Sequence, residues 1–243
     1  MAGKQPESDG RGQEARNDLV LSFLSVRRAL GTLGFLLPLA LLAYAAAFGG
    51  GLLFSISDYF YSPMREIFTG TLCALAVFLW NYEGYRRDPG QVISDKLVSR
   101  IASTGALLVA LAPISPGTAD PHAPDIAREA TLVQQALGPQ AAQYLHFIGA
   151  TAFFGALAVY CLVLFTRSDK PEPGPQKCAE NRVYRICGTM ILACMALIAL
   201  AIWTGINRSA LSPVFWLETL ACFAFATSWM VKGKSLKALT RRM

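Results

Sequence analysis

Charge is what this sequence has least of. Only 16% of its 243 residues are Asp, Glu, Lys or Arg, where a soluble domain usually carries about 25%. Residues 31–54 and 101–114 contain no charged side chain at all, which argues against a soluble fold. Histidine is nearly absent too, limited to His122 and His146. No HExxH or HxxxH pair exists to offer two imidazoles from one helix. A GxSxG nucleophile elbow is missing. The six cysteines lack CxxC spacing. Five fall in apolar runs, and Cys178 sits in a polar connection, so they read as small buried side chains rather than disulfides or zinc ligands. A cleavable leader is not visible either. The first 28 residues are polar and include Lys4, Arg11, Arg16, Arg27 and Arg28. The apolar run after them is too long for a leader's hydrophobic region.

What is present is apolar length. Hydrophobic residues make up 53% of the chain, and a membrane-crossing helix needs about 20 of them in sequence. Six segments qualify or nearly so: 29–54, 67–82, 97–114, 143–165, 186–203 and 213–231. The expected fold is therefore an all-α, polytopic six-helix transmembrane bundle spanning 29–231. A polar, disordered cytoplasmic tail over 1–28 precedes it, and a basic cytoplasmic tail over 232–243 follows it. Pro38 and the Gly49-Gly50-Gly51 run predict a kink or an unwound outer end in the first span.

The basic residues orient the bundle. All 22 Lys and Arg except Arg65, Arg128 and Arg208 fall on one side of the alternating connections. The positive-inside rule places that side, and both termini, in the cytoplasm. The net charge of +6 is thus explained by membrane flanks, and no nucleic-acid partner is expected. Trp80 and Trp229 are placed at inner interfaces, Trp203 and Trp216 at outer ones. In the long third connection, Asp125 is positioned to cap a short helix with Glu129 in its first turn, and Ile126, Ala130, Val133 and Leu137 follow helical spacing. Such a helix can lie on the outer surface, cover an opening or simply connect. Gly149, Gly155 and Ala156, with Gly31 and Gly34, permit close helix approach.

Ionisable groups at the edge of lipid are costly, so each calls for a partner or a role. Ser57 and Asp58 follow the first span, Arg65 and Glu66 precede the second, His146 opens the fourth and Glu218 the sixth. All lie at similar depth near the outer face, with Asn207 and Arg208 in the last outer connection. A Ser, His and carboxylate set suits acyl transfer or hydrolysis, with His146 as base and Asp58 and Glu218 as the acids. Imidazole with carboxylate also suits zinc, although no metal-ligand spacing appears and no metal or other cofactor is assigned. A purely structural network, in which Glu218, His146 and Arg65 or Arg208 neutralise one another, is the plainer alternative.

These residues carry a family resemblance. Ile56-Ser57-Asp58-Tyr59 followed by Pro63-Met64-Arg65-Glu66 resembles the first outer loop of the damage-regulated autophagy modulator family. His146-x-x-Gly149-Ala150 with Phe154 and Tyr160 is similar to that family's fourth helix, and Trp216-Leu217-Glu218 to the start of its last. The match runs in order over about residues 27–237. It lacks the doubled proline before the glutamate and has a longer third loop, as a distant branch would. The wider group includes proteins that remodel GPI-anchor fatty acids. The resemblance implies a six-helix fold and lipid-related work.

The expected function is lipid binding or handling in an outward-facing intramembrane pocket, with membrane lipids as partners. Arg65, Glu66 and Ser57 would bind substrate, and Arg65 would hold a phosphate or carboxylate head group through its planar fork. A non-enzymatic scaffold recruiting a protein partner through basic cytoplasmic loops, or a small transporter, are the alternatives.

Overall fold

A computed structural model describes residues 8–48, 51–84, 93–115, 129–168, 172, 174–206 and 211–236, with side chains from residue 23 onward. The chain is helical, and no strand forms among the described residues. Helices α1 (Ser8–Phe48), α2 (Arg65–Trp80), α3 (Asp95–Leu111), α4 (Leu132–Leu137), α5 (Pro139–Val159), α6 (Pro175–Thr204) and α7 (Pro213–Lys232) follow in order. A 3-10 turn covers Ser57–Tyr61, and a π turn, Tyr160–Leu164, extends α5.

Four of these elements are long and apolar enough to cross a membrane: Phe23–Phe48 within α1, Pro139–Leu164, Pro175–Thr204 and Pro213–Lys232. α2 and α3 have 16 and 17 residues, or roughly 24–26 Å at about 1.5 Å per residue. That falls short of a hydrocarbon core about 30 Å thick.

Several local expectations need correction. The tail expected to be disordered is α-helical from Ser8, because once the span has nucleated a helix, adding turns is cheap; residues 1–7 lie outside the described residues. The unwound outer end expected of the first span is present: α1 continues through Pro38 but stops at Phe48, and residues 51–54 are not helical, Gly51 having φ +74. α6 begins at Pro175, so Cys178 lies on a helix rather than in a loop. Trp229 is fully buried against Tyr82, Tyr160 and Phe165 at centroid distances of 5.1–5.2 Å. It is a core residue, whereas Trp80, Trp203 and Trp216 are exposed. The third-loop helix is capped by Thr131, whose hydroxyl accepts the Gln134 N–H while Gln134 reaches back to the Thr131 N–H. Glu129 and Ala130 precede it, and Asp125 and Ile126 lie outside the described residues.

The six long helices close a ring in chain order, α1–α2–α3–α5–α6–α7, with α7 returning to α1. Small residues allow the closest contacts, as expected where apolar burial alone cannot drive helices together. A Cβ at Gly105 of α3 would stand 2.6 Å from the Gly149 carbonyl, and one at Gly149 2.9 Å from the Gly105 carbonyl. Gly31 and Gly34 of α1 press likewise on Met230 and Phe225 of α7. Gly155 does not: its Cβ position is open space. Ser103 of α3 adds a 2.7 Å hydrogen bond to the Ala76 carbonyl of α2, and Ser99 one to Leu79.

The two ends of the ring differ chemically. At one end Arg27 donates to the Tyr82 hydroxyl, Arg28 to the Gly233 carbonyl, Arg167 to Ile93 and Lys177 to Phe165. At the other, residues 55–62 fold inward and are buried throughout. The Phe215 N–H donates to the Phe54 carbonyl at 3.0 Å, tying this segment to α7.

Candidate functional site: a cleft between α5, α6 and α7

The cleft exists because α5 and α6 touch at one end and part at the other. Gly188 of α6 lets the chain approach Cys161 and Leu162 of the π turn within close contact. Away from that point, α6 presents Met195, Ile198, Ala199 and Ile202, spaced as one helical face. α5 presents Gln143, His146, Phe147, Ala150, Thr151 and Phe154 opposite. Between them lies a cleft of about 950 Å³, closed at its polar end by Ser55, Ser57, Asp58 and Glu218. Phe147, Thr151, Ala199 and Ile202 line it yet remain exposed, so it is open to the surroundings. An apolar chamber of about 50 Å³ adjoins it, bordered by Leu37, Leu72, Phe153 and Phe225. Ser57 and Glu218 line both spaces.

His146 is buried, with its Nδ1 2.8 Å from the Ala112 carbonyl and its Nε2 2.9 Å from Ser57 Oγ. Ala112 is the C-cap of α3, and the last carbonyls of a helix have no intrahelical partner. A ring N–H satisfies one here. A carbonyl only accepts, so Nδ1 carries the proton of a neutral ring and Nε2 offers a lone pair. The Ser57 hydroxyl then donates to Nε2. This is the arrangement of a hydroxyl facing a base that a third group orients. The orienting group is a backbone carbonyl rather than a carboxylate.

The carboxylates hold the turn that carries Ser57. The Asp58 N–H donates to Ser55 Oγ at 3.1 Å, and Ser55 Oγ donates to Asp58 Oδ2 at 3.0 Å. Glu218 Oε2 accepts the Ile56 N–H at 2.6 Å. The short segment 55–58 is thus pinned from both sides, by its own aspartate and by α7. Tyr61 closes the turn, donating to the Ile114 carbonyl at 2.6 Å while Gln134 of α4 donates to its oxygen at 3.1 Å. Burial pushes the Tyr61 phenol above its usual range, the hydrogen bond from Gln134 acting against this. It therefore remains a protonated donor near neutral pH.

Ser57, Asp58, His146 and Glu218, expected at one depth, line one cleft. Arg65 and Glu66 do not line it. The Arg65 guanidinium stacks over the Phe60 ring at 4.2 Å, and Glu66 is exposed in the first turn of α2. Arg65 thus packs on an aromatic face, which its planar cation favours. The partners of Glu218 and His146 are the Ile56 N–H, the Ala112 carbonyl and the Ser57 hydroxyl, and the Arg208 arm of the charge-neutralising network expected for them lies outside the described residues. Asn207, Arg208 and His122 lie outside the described residues. Sequence reasoning missed Ser55, Gln143 and the Ala112 carbonyl. Only the last had a signal, since α3 ends there and its terminal carbonyls need donors. No cluster of three or more His, Cys, Asp or Glu side chains suited to a metal occurs among the described residues. No protein-family model, curated protein or solved structure matches the chain, so its family resemblance stands on the motif residues alone.

Proposed function

We propose that this chain is a six-span membrane protein, with both termini in the cytoplasm, that takes the acyl chain of a membrane lipid into the cleft between α5, α6 and α7. The observation that carries this is the cleft itself: about 950 Å³ with apolar walls, ending at Ser57, Asp58, His146 and Glu218. Ligand sites are typically about 300–1,000 Å³, mostly apolar, with a few convergent polar groups. All three of the helices around it are apolar enough to cross a membrane, so an acyl chain reaches it sideways without entering water.

In the six-span reading α2 and α3 cross as well, each shortened because the buried 3-10 turn and the segment 112–115 complete the outer layer. The basic end, with Arg27, Arg28, Arg167 and Lys177, then faces the cytoplasm, and the cleft opens in the outer half. α4, with Leu132 and Leu137 exposed, lies at the outer interface. The resemblance to lipid-remodelling proteins supports the same substrate class. The scaffold reading draws less support, because the described basic residues named above spend donors on internal carbonyls and hydroxyls.

The test is to fill the cleft from an exposed wall position. Ala199→Trp should leave the melting temperature of the detergent-purified protein within a few degrees of wild type. Lipid co-purifying with wild type, measured by mass spectrometry of extracts, should fall several-fold in the variant. Equal lipid in both folded proteins, or none in wild type, would sink the proposal.

A further inference from the structure

We propose that Ser57 is a nucleophile with His146 as its general base, and that the cleft transfers a fatty acyl group from a lipid ester to an acceptor hydroxyl. This rests on the cleft taking a lipid chain and adds the reaction done there. Three observations carry it. The Nδ1 contact with Ala112 leaves Nε2 as the acceptor of the Ser57 hydroxyl at 2.9 Å, within the reach expected of a nucleophile and its base. The two serines of the turn divide the work. Ser55 takes the structural bonds with Asp58, which frees the Ser57 hydroxyl to face the imidazole. Ser57 also stands where the cleft meets the inner apolar chamber, where the carbonyl of a chain lying along the α5–α6 walls would come to rest.

The chemistry balances without a further reagent. Ser57 Oγ bonds to the ester carbonyl carbon as its proton passes to Nε2. The carbon–oxygen bond to the lipid alcohol breaks, and that alcohol leaves with the proton from Nε2. Acyl-Ser57 remains. An acceptor hydroxyl, from a second lipid or from water, then gives its proton to Nε2 while its oxygen bonds to the carbonyl carbon. Ser57 departs and takes the proton back. When the ring carries both protons, the partial negative charge at the C-terminal end of α3 faces it through Ala112. Glu218, holding the Ile56 N–H, and Asp58, holding Ser55, are positioning residues for Ser57.

An alkyl fluorophosphonate, reacted with full-length protein in micelles and followed by intact mass and peptide mapping, tests this. One adduct is expected, on Ser57, and none on Ser57→Ala. His146→Gln should label at least about 100-fold more slowly, the usual size of a general-base contribution. Because His146 also holds the end of α3, wild-type labelling is timed in heavy water as well, where transfer of the serine proton should slow it. Folded wild type without an adduct at Ser57, labelling unaffected by heavy water, or equal labelling of folded His146→Gln overturns the reaction. Lipid is assayed in the same preparations. Lipid retained by unlabelled wild type sinks the chemistry alone, whereas wild type that holds no lipid sinks the binding on which it rests.

Discussion

Gly149 and Gly155 lie less than two turns apart on α5, and their surroundings set opposite requirements. Gly149 faces the α3 backbone at Gly105 and Val109 and the Leu108 side chain, with no room for a side chain of its own, while Gly155 faces open space. Gly149→Val should therefore destabilise by about 1–3 kcal/mol, the range for overpacked interiors. Gly155→Ala should be neutral or stabilise by roughly 0.5–1 kcal/mol, because alanine loses less backbone entropy in a helix. Thermal unfolding of the two variants in one detergent checks both. Equal melting temperatures would mean that α3 and α5 are not packed as described. Both glycines look alike in sequence, since spacing cannot say which face of α5 meets a neighbour. Gly105, the partner of Gly149, carries no motif at all.

At the scale of elements, α4 is the clearest case of a local rule shifted along the chain. A short helix in the third connection was legible from its apolar spacing. Its start was not, because Asp125 and Thr131 are both good caps and only Thr131 is followed at the right spacing by Gln134 in a capping box. Gln134 also donates to Tyr61, so this one side chain ties the third connection to the buried turn carrying Ser57. Thr131→Ala should cost about 1 kcal/mol of local stability, a typical cap value. Gln134→Ala removes the reciprocal cap bond and the Tyr61 bond together. Amide hydrogen exchange should then accelerate in residues 132–137 for both variants, but in the 57–62 segment for Gln134→Ala alone. Acceleration of that segment in Thr131→Ala, or its absence in Gln134→Ala, would contradict the tie. The turn itself shows why site geometry was only half legible. Ser57, Asp58 and Arg65 are near neighbours in sequence, yet the turn sends two of them into the cleft and stacks the third on Phe60.

At the scale of the whole molecule, the native cysteines make the orientation measurable. Cys178 is exposed at the basic end of α6, whereas Cys161, Cys187, Cys194 and Cys222 are buried and Cys73 is partly so. A membrane-impermeant maleimide should label Cys178 in inside-out vesicles and leave sealed right-side-out vesicles unmodified. Ala136→Cys, on α4, should give the reverse pattern in a Cys178→Ser background. Labelling of both positions from the same side would end the six-span topology, because α5 with its π turn is the segment between them and would then not cross.

Run length and the distribution of Lys and Arg were sufficient to determine that this chain is helical, apolar and chemically polarised from one end to the other. Those properties follow from each segment taken by itself: the backbone must satisfy its own hydrogen bonds in lipid, and charge must stay at the flanks. The same local reasoning put Ser57, Asp58, His146 and Glu218 at one depth. Whether they meet is a different question, since depth along a helix says nothing about its rotation or its neighbours. Only the closed ring decided that, by setting α5 against α3, so that the Ala112 carbonyl fixes the His146 ring. The parting of α6 from α5 opened the space in front of it. Ser57 and His146 stand 89 residues apart in the chain and 2.9 Å apart in space, a relation created by packing and absent from any local pattern.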